Sequence, residues 1–149
     1  MLSNQSLRRF ITILQHEARE MDIAIASLSM SPVIAVNTKV TLRGSVSSPR
    51  QGDIVLVSSD RGADYLHRII ELGRDHVITK GDHNPHPDPP CSIDDIVGIC
   101  VAINGHRIDT PTWRFVNRQI ARISPYSHQL RAPIRVLGRI RRALGLWWL

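Results

Sequence analysis

The stretch GDIVLVSSDRGADYLHRIIEL, residues 52–72, holds two β-rich runs close together. Residues 53–57 and 65–72 are rich in Ile, Val, Leu and Tyr, and a segment of Ser, Asp, Arg and Gly separates them. Short apolar runs bounded by turn residues are typical of strands. The stretch therefore predicts two successive strands.

Further β-rich runs on both sides extend this pattern. Residues 76–79 and 96–103 follow it, and two runs at residues 23–25 and 33–42 precede it, interrupted by Ser and Pro. Strands and helices do not alternate along this part of the chain, so a parallel, doubly wound sheet is not expected. The middle of the chain predicts a small, mainly antiparallel β-domain.

Helices are predicted on both sides of this domain. Apolar residues recur at helical spacing between residues 5 and 20, which indicates an amphipathic helix. Asp109, Thr110 and Pro111 form a helix-start signal, with Asp or Thr as N-cap, and the helix is expected to end near Ser124. The predicted fold class is therefore mostly β (α+β), with helices added to a β-domain.

Positive charge is concentrated towards the end of the chain. The 149 residues carry a net charge of +6, yet residues 107–149 contain nine arginines and one acidic residue. This change in composition predicts a domain at residues 1–108, including the N-terminal helix, and a basic helical extension at residues 109–149. A nucleic-acid partner would have to bind the extension alone.

The segment RAPIRVLGRIRRALGLWWL, residues 131–149, has three open interpretations. Its aliphatic residues and its Trp-Trp pair fall near one helical face, and most of its arginines lie elsewhere. Such a helix can pack on its own domain or at a homo-oligomer interface, dock on a protein partner or lie on an anionic membrane. The apolar end argues against a tail that only binds the phosphates of a nucleic acid.

Cysteine usage predicts a reducing compartment, and hydropathy predicts no membrane-spanning helix. Cys91 and Cys100 are nine residues apart with no C-x-x-C pair, which excludes a zinc ribbon and favours two small buried apolar side chains. The N-terminal residues lack the shape of a signal peptide, and no apolar run reaches the roughly 18 residues of a membrane-spanning helix. The sequence predicts a cytoplasmic protein, with residues 131–149 as the one segment suited to peripheral membrane contact.

His67 stands in an apolar run and is followed by a loop crowded with Asp, His, Asn and Pro. Three interpretations are open: a packed structural histidine, a general base oriented by a loop aspartate, or a metal ligand. The metal site would use Asp82, His83, His86 and Asp88, and the three prolines of the loop argue against it because they stiffen the chain.

Five segments, taken in order, resemble the sequence boxes of type I signal peptidases and their relatives. They are SMSPVI at residues 29–34, GDIVLV at 52–57, LHRI at 66–69, TKGDHN with its following Asp at 79–88, and DDIVG at 94–98. Each box is short and unspecific by itself, but their joint order is specific. The resemblance implies a signal-peptidase-like β-fold and a serine peptidase that needs no metal or other cofactor.

The resemblance also implies a role for each site residue. Ser29 is expected to be the nucleophile, His67 the general base and Asp88 the carboxylate that orients the base. The Ser29 backbone N–H is expected to stabilise the oxyanion, with the Ser27 hydroxyl either as a second donor or as the cap of the turn. Asp82 is expected to support the loop backbone.

The choice of base separates two groups within this family. Many members use a lysine, whereas others place a histidine at the same position. This chain has two lysines, Lys39 and Lys80, and the base position holds His67. A serine hydroxyl is a weak nucleophile, and a histidine, whose ordinary pKa is about 6.5, suits proton transfer near neutral pH.

The departures from the family pattern favour a particular kind of member. The chain shows no spanning helix, and Asn37-Thr38 replaces the usual Gly-Asp after the nucleophile box. This arrangement resembles small bacterial signal-peptidase-like proteins of peptide-maturation systems, which implies a precursor or leader peptide as substrate. The alternative function is a non-catalytic adaptor that keeps the β-fold to bind a peptide in a maturation complex.

Overall fold

The computed structural model describes residues 13, 19–44, 48–58 and 64–126. Within these residues eight strands form one open antiparallel sheet, and one α-helix follows them, so the predicted mostly β fold is confirmed. The strands are β1 (Glu20–Ala24), β2 (Lys39–Arg43), β3 (Ile54–Val57), β4 (Tyr65–Leu72), β5 (His76–Lys80), β6 (Cys91–Ser92), β7 (Ile96–Ile103) and β8 (His106–Arg107).

The strands lie in the order β1-β2-β7-β3-β4-β5-β6, and β8 pairs with β7. β7 therefore joins the N-terminal hairpin, β1 and β2, to the β3–β4–β5 meander. The β7–β8 turn has positive φ at both central residues, 48° at Asn104 and 81° at Gly105. Asn-Gly is the preferred pair for this tight hairpin turn because both residues tolerate the left-handed region.

Alternate residues of β3 and β4 pack on opposite faces of the sheet. Ile54 pairs with Arg68, and Val55 pairs with His67, so these two pairs point to different sides. One apolar cluster contains Met30, Ile34, Leu42, Ile54, Leu56 and Leu66, and the other contains Val55, Val57, Ile69, Val77 and Ile96. His67 therefore faces the side of the Val55 cluster, and Arg68 faces the side of the Ile54 cluster.

The helix α1 (Pro111–Ile123) confirms the predicted helix start and end. Thr110 is its N-cap, and the Thr110 side chain accepts a hydrogen bond from the Trp113 N–H. The helix packs close to the chain before β3, since a Cβ on Gly52 would lie 2.7 Å from the Arg118 backbone nitrogen. Gly52 also has φ of +100°, so only glycine fits this contact without strain.

Some predicted elements differ from the structure or lie outside its described part. Glu20, predicted to end the first helix, instead begins β1, and most of residues 5–20 lie outside the described residues. Residues 33–36 are a turn and not a strand, because the Ile34 N–H bonds the Met30 carbonyl and both side chains anchor the turn in the core. The segment 131–149 also lies outside the described residues, and the division at residue 108 stays a prediction.

A network of surface charges ties the sheet edge to the start of α1. Arg43 Nη2 lies 2.7 Å from Glu20 Oε1 and 3.1 Å from Asp109 Oδ2. Arg107 contacts the same two carboxylates. The Arg107 hydrogen bond is the main cause that holds the pKa of Asp109 below its ordinary value, with Arg43 adding to it.

Replacement Asp109→Asn is expected to lower the free energy of unfolding at pH 7 by about 1 kcal/mol, because the ion pairs of Asp109 with Arg43 and Arg107 are partly exposed. A carboxyl group with a lowered pKa in the fold contributes stability above its ordinary pKa, about 3.9, and this contribution is lost as pH falls through the lower folded value. Urea unfolding at pH 7 and at about pH 2.5 should therefore show a deficit that disappears in acid. The exposed control Asp94→Asn should show no such change, and an equal Asp109→Asn deficit at both pH values would contradict the electrostatic cause.

Candidate functional site

A short contact joins His67 on β4 to Asp88 in the loop after β5. His67 Nδ1 lies 2.6 Å from Asp88 Oδ2, and the His67 residue is 6% exposed. The Thr79 hydroxyl donates to the same Asp88 oxygen at 2.8 Å, and the Asp88 N–H donates to the Thr79 carbonyl at 2.8 Å. Thr79 therefore fixes both the backbone and the carboxylate of Asp88 beside the imidazole.

The sheet explains why these residues meet. His67 and Thr79 lie on adjacent antiparallel strands and on the same face, because Thr79 pairs with Ile69 two residues along β4. The Tyr65 ring, also on this face, lies 4.9 Å from the imidazole, with the planes tilted by 44°. Burial raises the pKa of Tyr65 to about 12, so its phenol stays protonated at neutral pH.

Ser29 lies in a turn that is fixed to the same loop. Its neighbour Met30 is 1% exposed and anchors the turn in the core. The Ser29 carbonyl accepts a hydrogen bond from the His83 N–H at 2.8 Å. A Cβ on Gly81 would lie 2.6 Å from this carbonyl oxygen, so the close approach of turn and loop requires glycine there. One loop thus contacts the Ser29 backbone near its start and places Asp88 against His67 near its end.

The predicted oxyanion donors bond to each other. The Ser29 N–H donates to the Ser27 hydroxyl oxygen at 3.1 Å. Ser27 therefore caps the turn, which is one of its two expected roles. A substrate carbonyl would have to displace this oxygen to receive the Ser29 N–H.

The structure does not bring all predicted site residues into direct contact. Among the hydrogen bonds of the described residues, none joins the Ser29 hydroxyl to His67. Catalytic hydrogen bonds are often long in free enzymes and shorten when substrate binds. His67 and Asp88 are thus already paired, whereas Ser29 is linked to the same loop through the bond between its carbonyl and the His83 N–H.

Asp82 has a different partner from Asp88. Its carboxylate receives two hydrogen bonds from Arg68, from Nε at 2.9 Å and from Nη2 at 2.8 Å. Arg68 is fully buried, and the Asp82 side chain is 5% exposed. Asp82 therefore supports the loop through a buried ion pair and does not orient His67. Sequence reasoning missed Arg68, although an arginine inside an apolar strand is a signal that a buried acid is close.

Lys80, the residue after Thr79, points away from His67. It pairs with Arg68 in the sheet register and therefore lies on the opposite face from His67. Its Nζ lies 3.2 Å from the Ser124 hydroxyl and 3.4 Å from the Gly81 carbonyl oxygen. Burial lowers the pKa of the Lys80 ammonium. Lys80 therefore does not take part in the pair that His67 and Asp88 form.

The loop carboxylates are engaged by protein groups. Asp82 bonds Arg68, and Asp88 bonds His67 and Thr79. In the part of the chain that the structure describes, no group of three or more His, Cys, Asp or Glu residues is arranged to hold a metal ion.

Comparison of the chain with protein-family models and with curated proteins found no match to either. The family resemblance accordingly rests on the five segments of the sequence and on the chemistry of the residues in them. None of the helices in the described residues is long and apolar enough to cross a membrane.

Proposed function

We propose that the protein is a serine endopeptidase, similar to type I signal peptidases, that cleaves a precursor or leader peptide through an acyl-enzyme. Ser29 is the nucleophile, His67 the general base and Asp88 the group that orients the base. The observation that carries this proposal is the 2.6 Å contact between His67 Nδ1 and Asp88 Oδ2. A carboxylate on one imidazole nitrogen fixes the tautomer and leaves the other nitrogen, Nε2, to accept a proton.

Acylation begins when the Ser29 hydroxyl oxygen attacks the carbonyl carbon of the scissile peptide bond. The new C–O bond forms as the hydroxyl proton passes to His67 Nε2, and Asp88 stabilises the imidazolium. The same proton is then transferred to the leaving amine as the C–N bond breaks. The N-terminal half of the peptide remains as an ester on Ser29.

Deacylation repeats these steps with water. His67 takes a proton from the water molecule as the water oxygen attacks the ester carbon. His67 then returns this proton to the Ser29 oxygen as the C–O bond to the enzyme breaks. In both steps a negative charge develops on the carbonyl oxygen. The Ser29 N–H is the proposed donor to it, and the Ser27 hydroxyl, which now accepts this N–H, can turn its own proton towards the substrate.

The proposed setting follows from the resemblance and from the basic extension. Substrates are peptides or precursor proteins, and the site needs no metal or other cofactor. The proposed location is the cytoplasm, with residues 131–149 as a segment for contact with a partner protein or a membrane surface. A nucleic acid is not a proposed partner.

The experiment is a cleavage assay on a mixed pool of synthetic peptides, read by mass spectrometry as new N-termini. We expect wild-type protein to produce a defined set of cuts and Ser29→Ala to produce none. Ser31→Ala is the matched control, because it removes a hydroxyl from the same turn, and it should cleave like wild type.

Two outcomes would contradict the peptidase. Cuts that persist in Ser29→Ala would assign them to another residue or to a contaminant. If the same peptides bind to wild type and to Ser29→Ala in a pull-down from the pool, and neither protein cuts them, the result would favour the non-catalytic adaptor instead. Such an adaptor would bind a peptide along an edge of the sheet without using Ser29.

A further inference from the structure

Two fully buried basic side chains lie side by side on the face of the sheet opposite to His67. Arg68 on β4 and Lys80 on β5 are paired in the sheet register, and each is 0% exposed. Burying a charge is costly unless other groups bond to it. The hydrogen-bond partners of Arg68 and Lys80 therefore show which segments of the chain these two side chains connect.

Arg68 joins three parts of the chain. Its Nε and Nη2 bond the Asp82 carboxylate in the loop after β5. Its Nη1 donates to the Gly52 carbonyl at 3.0 Å, before β3, and to Asn117 Oδ1 at 2.9 Å, on α1. Asn117 is itself buried at 7% exposure, so this amide is part of the interior and not of the surface.

Lys80 makes a second link between the same loop and the end of α1. Its Nζ bonds the Gly81 carbonyl, where the loop begins, and the Ser124 hydroxyl, directly after the helix. Ser124 is 4% exposed. The helix is thus connected to the loop at two points, seven residues apart along the chain.

We propose that Asn117 and Ser124 are positioning residues, which act through Arg68 and Lys80 to hold the loop of residues 81–88 against Ser29 and His67. This role rests on the proposed peptidase function, but the geometry that it controls can be measured without activity. The loop bonds the Ser29 carbonyl through the His83 N–H and bonds His67 through Asp88. Thr79, which fixes Asp88, directly precedes Lys80. A shift at Lys80 and the loop start is therefore expected to move the carboxylate relative to the imidazole.

Loss of either side chain should lower turnover without weakening substrate binding. Asn117→Ala and Ser124→Ala are each expected to reduce kcat by between about ten- and a hundredfold, with KM changed less than about twofold, since misplacement of catalytic groups acts mainly on the chemical step. Asn117→Asp and Ser124→Thr, which keep an acceptor oxygen, should restore most of the turnover. Thr112→Ala, an exposed change on the same helix, should have no effect.

A readout that does not depend on catalysis is the proton on His67 Nδ1. In protein with ¹⁵N-labelled histidine, a strong hydrogen bond to Asp88 should give a downfield, slowly exchanging N–H signal, which is absent in Asp88→Asn. We expect this signal to broaden or disappear in Asn117→Ala and Ser124→Ala and to remain in Thr112→Ala. Circular dichroism and the melting temperature show which variants are folded.

The outcomes separate the two proposals. Folded Asn117→Ala and Ser124→Ala that both keep the signal and wild-type kcat would overturn the positioning role. Loss of the signal in these variants, when wild-type protein cleaves no peptide, would support the positioning role and contradict the peptidase function. If Asn117→Ala does not fold, Ser124→Ala with its threonine rescue decides the matter, and failure of Ser124→Thr to recover the signal would count against the proposal.

Discussion

Replacement Arg68→Met is expected to lower the free energy of unfolding by about 3–5 kcal/mol, the usual cost of leaving one partner of a buried ion pair uncompensated. Asp82 would lose both of its hydrogen bonds to the guanidinium, and Gly52 and Asn117 would lose a donor. Methionine fills much of the same volume, so the loss would come from polar groups and not from a cavity. Chemical denaturation at pH 7 measures it.

Arg43→Met is the matched control for this change. Arg43 also bonds two carboxylates, Glu20 and Asp109, but its side chain is 42% exposed. Surface pairs of this kind contribute at most about 1 kcal/mol. Equal destabilisation by the two variants would show that burial does not decide the strength of the Arg68 network.

Replacement His67→Ala is expected to reduce kcat/KM by about four orders of magnitude or more, because Ser29 then lacks a proton acceptor. Asp88→Asn should cost a similar amount, about 10⁴-fold, if the carboxylate fixes the tautomer of the base. The measurement is the hydrolysis rate of the best peptide found in the pool assay.

His83→Ala is the control for these two variants. It removes an exposed imidazole from the same loop, and its backbone N–H still bonds the Ser29 carbonyl. We expect wild-type activity from it. Activity that survives His67→Ala but disappears in His83→Ala would place the base in the loop and contradict the role of His67.

The strands and the helix could be predicted because their signals are local. β4 and β7 have the predicted bounds, since each is an apolar run that ends at turn residues. α1 starts as predicted because Thr110 and Pro111 are adjacent in the sequence and act within one turn. The predicted strand at residues 33–36 was wrong, because apolar residues such as Ile34 can anchor a turn as well as a strand.

The supports of the candidate site could not be predicted, because they join residues far apart in the chain. Thr79 meets Asp88 only after the loop returns to β5, and Asn117 reaches Arg68 only when α1 packs on the sheet. No periodicity in the sequence shows which of two loop aspartates pairs with a histidine and which with an arginine. The fold decides this by placing His67 and Arg68 on opposite faces of one strand.

Capture of the acyl group on Ser29 tests the proposed peptidase chemistry most directly. The protein is mixed with a p-nitrophenyl ester of a cleaved peptide, quenched in acid within the first turnover, digested and analysed by mass spectrometry. We expect a burst of about one equivalent of nitrophenol and an acyl group on the peptide that contains Ser29, as covalent catalysis by serine requires. Wild type and Ser31→Ala should both show it, His67→Ala should form it far more slowly, and Ser29→Ala should not form it. An acyl group on any other residue, or undiminished ester and peptide cleavage by Ser29→Ala, would contradict the role of Ser29 as the nucleophile.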